Sequence, residues 1–248
     1  MRAVRTALAV ILAAATLVAC VPSTEELQER TETDEETTSP RPRKEQAEEQ
    51  PVAETEPTSD VQELSVVNTG FGRLSFEEGA WWYAVVFTNP NPDVFFDFAE
   101  IVVEAVAADG TILDSSSDFL TILPGDSAIT GSFFEVGATE IDHLDVRGPV
   151  ADDAEPAPDG GLGGFTTSEI AATSDEYSTT VGGILTSTFA TEQELIKIVV
   201  VATNPAGAII GAEWTYVDRL PVDGRVRFEA SFYDPLPADT SFVAFAVL

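Results

Sequence analysis

Several shortages set the first limits. Cysteine occurs once, at Cys20, so the chain forms no internal disulfide. Histidine also occurs once, at His143, which removes zinc sites built on two histidines and makes any Ser-His-Asp catalysis depend on that single residue. Basic residues are scarce: 12 Lys and Arg stand against 43 Asp and Glu, a formal net charge of −31. Such a chain repels a phosphate backbone, so nucleic acid is excluded as a partner. The glycine run that ends at Gly164 is followed by Phe165 and Thr166, not by the Lys-Ser or Lys-Thr pair of a phosphate-cradling loop, so nucleotide enzymes are set aside and no cofactor is expected. Membrane-spanning length is missing as well. The apolar run from Ala7 to Ala19 has 13 residues, too few for a hydrocarbon core roughly 30 Å thick. Preceded by Met1, Arg2 and Arg5, it is expected to be a signal peptide over residues 1–19.

That run closes on Leu17-Val18-Ala19-Cys20, which resembles the lipobox of bacterial lipoproteins. The resemblance implies that Cys20 is lipidated and becomes the new N-terminus, with the membrane as a partner through that lipid. Two acyl chains, each contributing about 0.8 kcal/mol per buried methylene, anchor a protein stably where one chain is marginal. The expected location is the cell envelope, with the chain lipid-anchored to the outer face of the cytoplasmic membrane or to the outer membrane. The competing reading is ordinary signal cleavage near Ala19 with an incidental cysteine. Val21 stands where an aspartate would resemble an inner-membrane retention signal.

Residues 21–60 hold 13 acids and four bases in a background of Glu, Thr, Pro, Ser and Gln without apolar periodicity. Such a composition does not bury enough surface to offset chain entropy, so residues 20–60 are expected to be a lipidated cysteine and a disordered acidic tether. Forty residues reach about 140 Å at full extension and roughly 35 Å as a flexible coil. The acidity does not end there. Residues 61–248 carry a net −24, with only Arg73, Arg147, Lys197, Arg219, Arg225 and Arg227 as bases. A surface of that kind favours basic partners or serves solubility in a salty habitat.

After Val61 the texture changes to short runs of Val, Ile, Phe and Thr between turn signals: Asn89-Pro90-Asn91-Pro92, Asp109-Gly110 and Leu123-Pro124-Gly125-Asp126. Trp81 to Thr88 is apolar on both alternating faces, as in a strand at the centre of a sandwich. Glu100 to Ala107 and Thr111 to Leu113, joined through Asp109-Gly110, read as a hairpin. Residues 151–164 combine acids, prolines and glycines as an acidic Pro/Gly linker, leaving 61–150 and 165–248 as β-sandwich domains 1 and 2. The two halves align at an offset of 97: Ile101-Val102-Val103 on Ile198-Val199-Val200, Gly110 on Gly207, Ile112-Leu113 on Ile209-Ile210, Leu123-Pro124 on Leu220-Pro221. An internal duplication follows. Phe87-Thr88-Asn89 matches Leu185-Thr186-Ser187 with a one-residue shift, and Ser132-Phe133-Phe134 matches Ser231-Phe232-Tyr233 after two inserted residues.

This order of strands and turns, over Trp81 to Val146 and again over Gly182 to Leu248, resembles the FxLYD-type Ig-like module of bacterial lipoproteins. More distantly it is similar to the stress-associated late-embryogenesis β-sandwiches. The aromatic-x-aromatic-Tyr-Asp string of the former is replaced by Ala105-Val106-Ala107-Ala108-Asp109 and Ala202-Thr203-Asn204-Pro205-Ala206. The resemblance implies an all-β fold of two tandem Ig-like antiparallel β-sandwich domains after the signal peptide and tether, displayed outside the cytoplasm. It supplies no catalytic residues.

Candidate chemistry is sparse. In Glu140 to Arg147, strand alternation places His143, Asp145 and Arg147 on one face and Asp142, Leu144 and Val146 on the other, which reads as a solvated strand face before it reads as a catalytic base. Among 43 acids, any carboxylate pair chosen for glycoside hydrolysis is uninformative. Asp152, Asp153, Glu155 and Asp159 could attract calcium, but their spacing matches no Asp-x-Asp-x-Asp-Gly loop, and a solvated linker is favoured. Trp81-Trp82-Tyr83 is expected to be core. Phe95, Phe96 and Phe98 form the candidate interaction loop, since loops carry binding. No catalytic residue and no metal ligand is assigned. The favoured reading is a non-catalytic envelope lipoprotein that presents tandem modules to another envelope protein or component. The alternative is an acidic spacer or surface-conditioning lipoprotein without a specific ligand, and a hydrolase is the remote third.

Overall fold

A computed structural model describes residues 61–159 and 161–248. The expected signal peptide, Cys20 and the tether lie outside the described residues. The strands are β1 (Ser65–Arg73), β2 (Trp81–Asn89), β3 (Val94–Val106), β4 (Ile112–Ile122), β5 (Gly125–Phe133), β6 (His143–Arg147), β7 (Glu155–Pro156), β8 (Phe165–Ser174), β9 (Thr179–Ser187), β10 (Gln193–Thr203), β11 (Ile209–Leu220), β12 (Arg225–Phe232) and β13 (Ser241–Val247). The fold is all-β, as the alternating apolar runs predict, and every strand pairing is antiparallel. Among the described residues no helix is long and apolar enough to cross a membrane.

Four sheets form, in the orders β1-β2-β5, β4-β3-β6, β12-β9-β8 and β11-β10-β13. The first two close over Tyr83, Val85, Phe87, Ile101, Val103, Ile122, Ile129 and Phe133, so Trp81 and Tyr83 are core as expected, whereas Trp82 is half-buried on the opposite face of β2. The last two close over Leu185, Ile196, Ile198, Val200, Val217, Phe228 and Phe232. Both are sandwiches in which alternate residues of each strand face inward. Part of the expected linker is pinned to the first of them: Ala151–Asp153 makes a 3-10 turn, and β7 pairs with β3 through Val94 and Phe95.

The duplication is visible in single hydrogen bonds. In the β3–β4 turn Ala107 N donates to Thr111 O and Gly110 N to Ala107 O; in the β10–β11 turn Asn204 N donates to Ala208 O and Gly207 N to Asn204 O, each at the same offset of 97. Gly110 and Gly207 both sit at φ 84°, a conformation that glycine enters without steric cost. One register slip follows in each hairpin, after Ala105 and after Ala202.

A third apolar cluster joins the sandwiches. Ala84, Val86 and Ala128, on the outer face of β2 and β5, meet Val199, Val201, Ile209 and Ala212, on the outer face of β10 and β11. This contact explains why β2 is apolar on both faces: one faces its own core and the other the second sandwich. The sheets in contact are not equivalent by duplication. The first half contributes β1-β2-β5, whereas the second contributes β11-β10-β13, the counterpart of β4-β3-β6. Gly70 on β1 lets the backbones approach, because a Cβ there would lie 2.6 Å from Ile209 Cβ. Asn68 Nδ2 donates to Gly207 O at 3.0 Å, and Lys197 Nζ donates to Asp118 Oδ2 at 2.5 Å across the same joint. Burying a Val or Ile contributes about 1.5–3 kcal/mol against roughly 1 kcal/mol for an ion pair near the surface, so apolar packing dominates the joint.

Candidate functional site

With β1-β2-β5 and β11-β10-β13 facing each other, the β4-β3-β6 sheet keeps an uncovered outer face. Its most unusual feature lies where the β3 register slips between Phe96 and Ala99. Phe98, within this slip, is at φ 44°, a left-handed conformation rare for a bulky side chain, and is exposed. Phe98 is 71% exposed and stacks on Phe119 of β4, itself 49% exposed, with ring centroids 5.2 Å apart and planes inclined by 22°. The pair borders an open depression of about 650 Å³ whose polar lining includes Asp97, Glu100, Arg147 and Asp153.

The charges around the rings are unevenly committed. Arg147 Nη2 donates to Glu104 Oε1 at 2.6 Å, which neutralises the one base at the site. Asp97 Oδ1 accepts from Thr121 Oγ1 at 3.0 Å and Asp153 Oδ2 from Val150 N at 3.1 Å, both neutral donors. The Glu100 carboxylate has no hydrogen bond or ion pair among the described residues. Three carboxylates therefore surround an apolar surface without a counter-charge.

The structure divides the candidate interaction loop. Phe96 is fully buried in the first core and presents nothing to a partner, because strand alternation sends it inward; this corrects its assignment to an exposed loop. Phe95 is half-buried and pairs with β7. Only Phe98 is displayed, and all three lie in β3, not in a turn. The sequence reading missed Phe119. Its signal was present: Ser115, Ser117, Phe119 and Thr121 alternate as the outward face of β4, and Phe119 is the one large apolar residue among them.

His143 lies at the start of β6, exposed, with Nδ1 2.9 Å from Asp142 Oδ2, and no serine is bonded to it. His143, Asp145 and Arg147 are exposed and Leu144 and Val146 half-buried, as the alternation predicted, but Asp142, expected on the face of Leu144 and Val146, precedes β6 and is exposed beside His143. Asp152 and Asp153 lie in the 3-10 turn and Glu155 in β7. Among the described residues no group of three or more His, Cys, Asp or Glu is placed to hold a metal ion. A second cavity of about 390 Å³ lies beside the joint, lined by Leu123, Leu162, Phe165, Phe245 and a single acid, Asp126.

No family model and no curated protein matches the chain. Solved structures similar to parts of it include a β-glucuronidase from glycoside hydrolase family 2, at 14% identity and TM-score 0.21, covering 64% of this chain and 21% of that one. An exo-chitosanase of Amycolatopsis orientalis matches at 10% identity and TM-score 0.20, covering 67% of this chain and 25% of that one. The chain thus spans a quarter or less of those enzymes' length. At such TM-scores the likeness carries no argument about activity.

Proposed function

We propose that this chain is a non-catalytic lipoprotein of the bacterial cell envelope, anchored through a lipid on Cys20 and presenting its tandem β-sandwiches to another envelope component. The observation that carries the reading is the uncovered β4-β3-β6 face with Phe98 and Phe119 exposed on it. Its counterpart, β11-β10-β13, is a docking face within the same molecule, so this type of surface is already used for recognition here. Two large aromatics stacked side by side in water form an exposed apolar patch, which supports a binding site.

The spacer reading draws on a different observation, the net −24 over residues 61–248, which by itself keeps a surface soluble and repelled from anionic lipid. Affinity capture from native envelope, with the chain as bait at low and at high salt, separates the two. A partner retained in high salt and lost with Phe98→Asn supports display; retention of nothing at either salt leaves the spacer. Mass spectrometry of the mature N-terminal peptide tests the anchor, which requires a diacyl or triacyl adduct on Cys20 that disappears in Cys20→Ala.

A further inference from the structure

Because β4-β3-β6 and β11-β10-β13 are the same sheet in two copies, their outer faces can be compared position by position, including the end where Leu195 and Tyr216 stay 69% and 51% exposed beside the joint. In the joint Lys197 leaves the outer face of β10 and its Nζ donates to Asp118 Oδ2 of the covering half at 2.5 Å. The offset of 97 puts Glu100 at the place of Lys197, Val102 at Val199, Phe98 at Leu195 and Phe119 at Tyr216. Leu195 shares even the left-handed backbone, with φ 53° against 44° at Phe98. One end of the uncovered face therefore keeps the apolar character of its counterpart and inverts its charge.

We propose that the Phe98–Phe119 end of the β4-β3-β6 sheet docks a Lys- or Arg-bearing segment of a protein partner, with the cation over the phenyl rings and between Asp97, Glu100 and Asp153. This rests on the display reading above. Phenyl faces carry partial negative charge and attract ammonium and guanidinium groups lying within about 6 Å. The three carboxylates hold no base among the described residues, and Arg147 is committed to Glu104, so a cation enters without displacing an existing ion pair. An anionic ligand meets repulsion from these acids and from the surrounding −24. A neutral sugar could stack on the rings but would leave the carboxylates uncompensated. The remaining face is unsuited to a second sandwich, because Glu104 stands at the place of Val201 and Arg147 at that of Phe245.

The test uses the whole chain and three probes: a synthetic peptide alternating Lys and Phe, the same peptide with Glu for Lys, and a neutral oligosaccharide. Binding is followed by calorimetry and by amide chemical shifts. The Lys/Phe peptide should shift amides of β3 and β4 around Phe98 and Phe119, and the other two probes should not bind. Its affinity should fall about tenfold in Phe98→Asn and in Glu100→Lys. Asn tolerates the left-handed backbone, so Phe98→Asn removes the ring without disturbing the strand. Glu229→Lys, on the distant β12-β9-β8 sheet, should leave the affinity unchanged. Equal weakening by Glu229→Lys would reveal a general polyanion effect and overturn the proposal, and so would oligosaccharide binding at the rings. If the Lys/Phe peptide fails to bind while envelope capture is still lost in Phe98→Asn, the cationic assignment falls and the display reading stands. If the wild-type chain captures nothing, the display reading falls too.

Discussion

The β11-β10-β13 and β4-β3-β6 sheets descend from one pattern and meet opposite surroundings. Their inner faces are interchangeable in character: Ile198 and Val200 in one, Ile101 and Val103 in the other, all fully or nearly fully buried. Their turns repeat the same two backbone hydrogen bonds. The outer faces diverge at a few positions, where Lys197, Val201 and Phe245 answer to Glu100, Glu104 and Arg147. Inward residues thus specify the sandwich, and outward residues at the same registers decide whether the sheet is buried against a neighbour or left in water. A sheet has two faces with separate tasks because its side chains alternate with a period of two.

The largest effect should come from exchanging one such residue. Val201→Glu installs in the joint the residue that the displayed sheet carries at that register, burying a carboxylate at a position now 2% exposed. A buried, unpaired charge should cost about 3–5 kcal/mol. Urea unfolding followed at Trp82 and at Trp214, one in each half, should change from a single transition to two as the halves uncouple. The converse exchange, Glu104→Val with Arg147→Phe, makes the displayed sheet resemble the joint and exposes a contiguous apolar face. Sedimentation should then show self-association at least about tenfold stronger than in the wild type, equivalent to roughly 1.4 kcal/mol.

Glu213 sharpens the comparison inside the cores. It occupies the register of Ser116, which accepts a hydrogen bond from Tyr83 Oη at 3.0 Å, but half-burial of its carboxyl pushes the pKa from 4.5 to about 7. Between those values the native state holds more protons than the unfolded chain, so this residue's contribution to stability falls as pH rises from 4.5 to 7 and is level above. Glu213→Gln should be near neutral at pH 5 and stabilising at pH 8, by about 1 kcal/mol once partial solvent screening is allowed for. Smallest is the effect of Phe98→Asn on folding: a change of a few tenths of a kcal/mol, toward stability, because Asn accepts the left-handed conformation better than Phe. Thermal unfolding measures it. A large loss would mean that Phe98 serves packing, not display.

Much of the fold is legible in the sequence because it depends on local signals. Alternation at Glu140 to Arg147 gave the exposure of His143, and Asp109-Gly110 gave the hairpin turn with Gly110 at positive φ. The offset of 97 gave the equivalence of β3–β4 and β10–β11, but not the slip between Phe96 and Ala99, which β10–β11 lacks. The joint was half legible. Trp81 to Thr88 is apolar on both faces, which signals cover on both sides, but nothing local says that β10 and β11 supply it. The displayed site was the least legible. Phe95, Phe96 and Phe98 look alike in a row, and only the slip in the β3 register decides that Phe96 turns inward and Phe98 outward. Phe119, 21 residues further on, becomes its neighbour solely through strand pairing.

We propose that one copy of this sheet is left free for an envelope partner, whereas the other packs its middle, Val199, Val201, Ile209 and Ala212, against the first sandwich. Hydroxyl-radical footprinting of the whole chain, alone and with native envelope extract, tests both parts at once. Phe98 and Phe119 should be oxidised readily in the chain alone and protected by the extract, with Trp82 and Phe245 weakly oxidised in both samples. Equal oxidation of Phe98 and Phe119 with and without extract would contradict it.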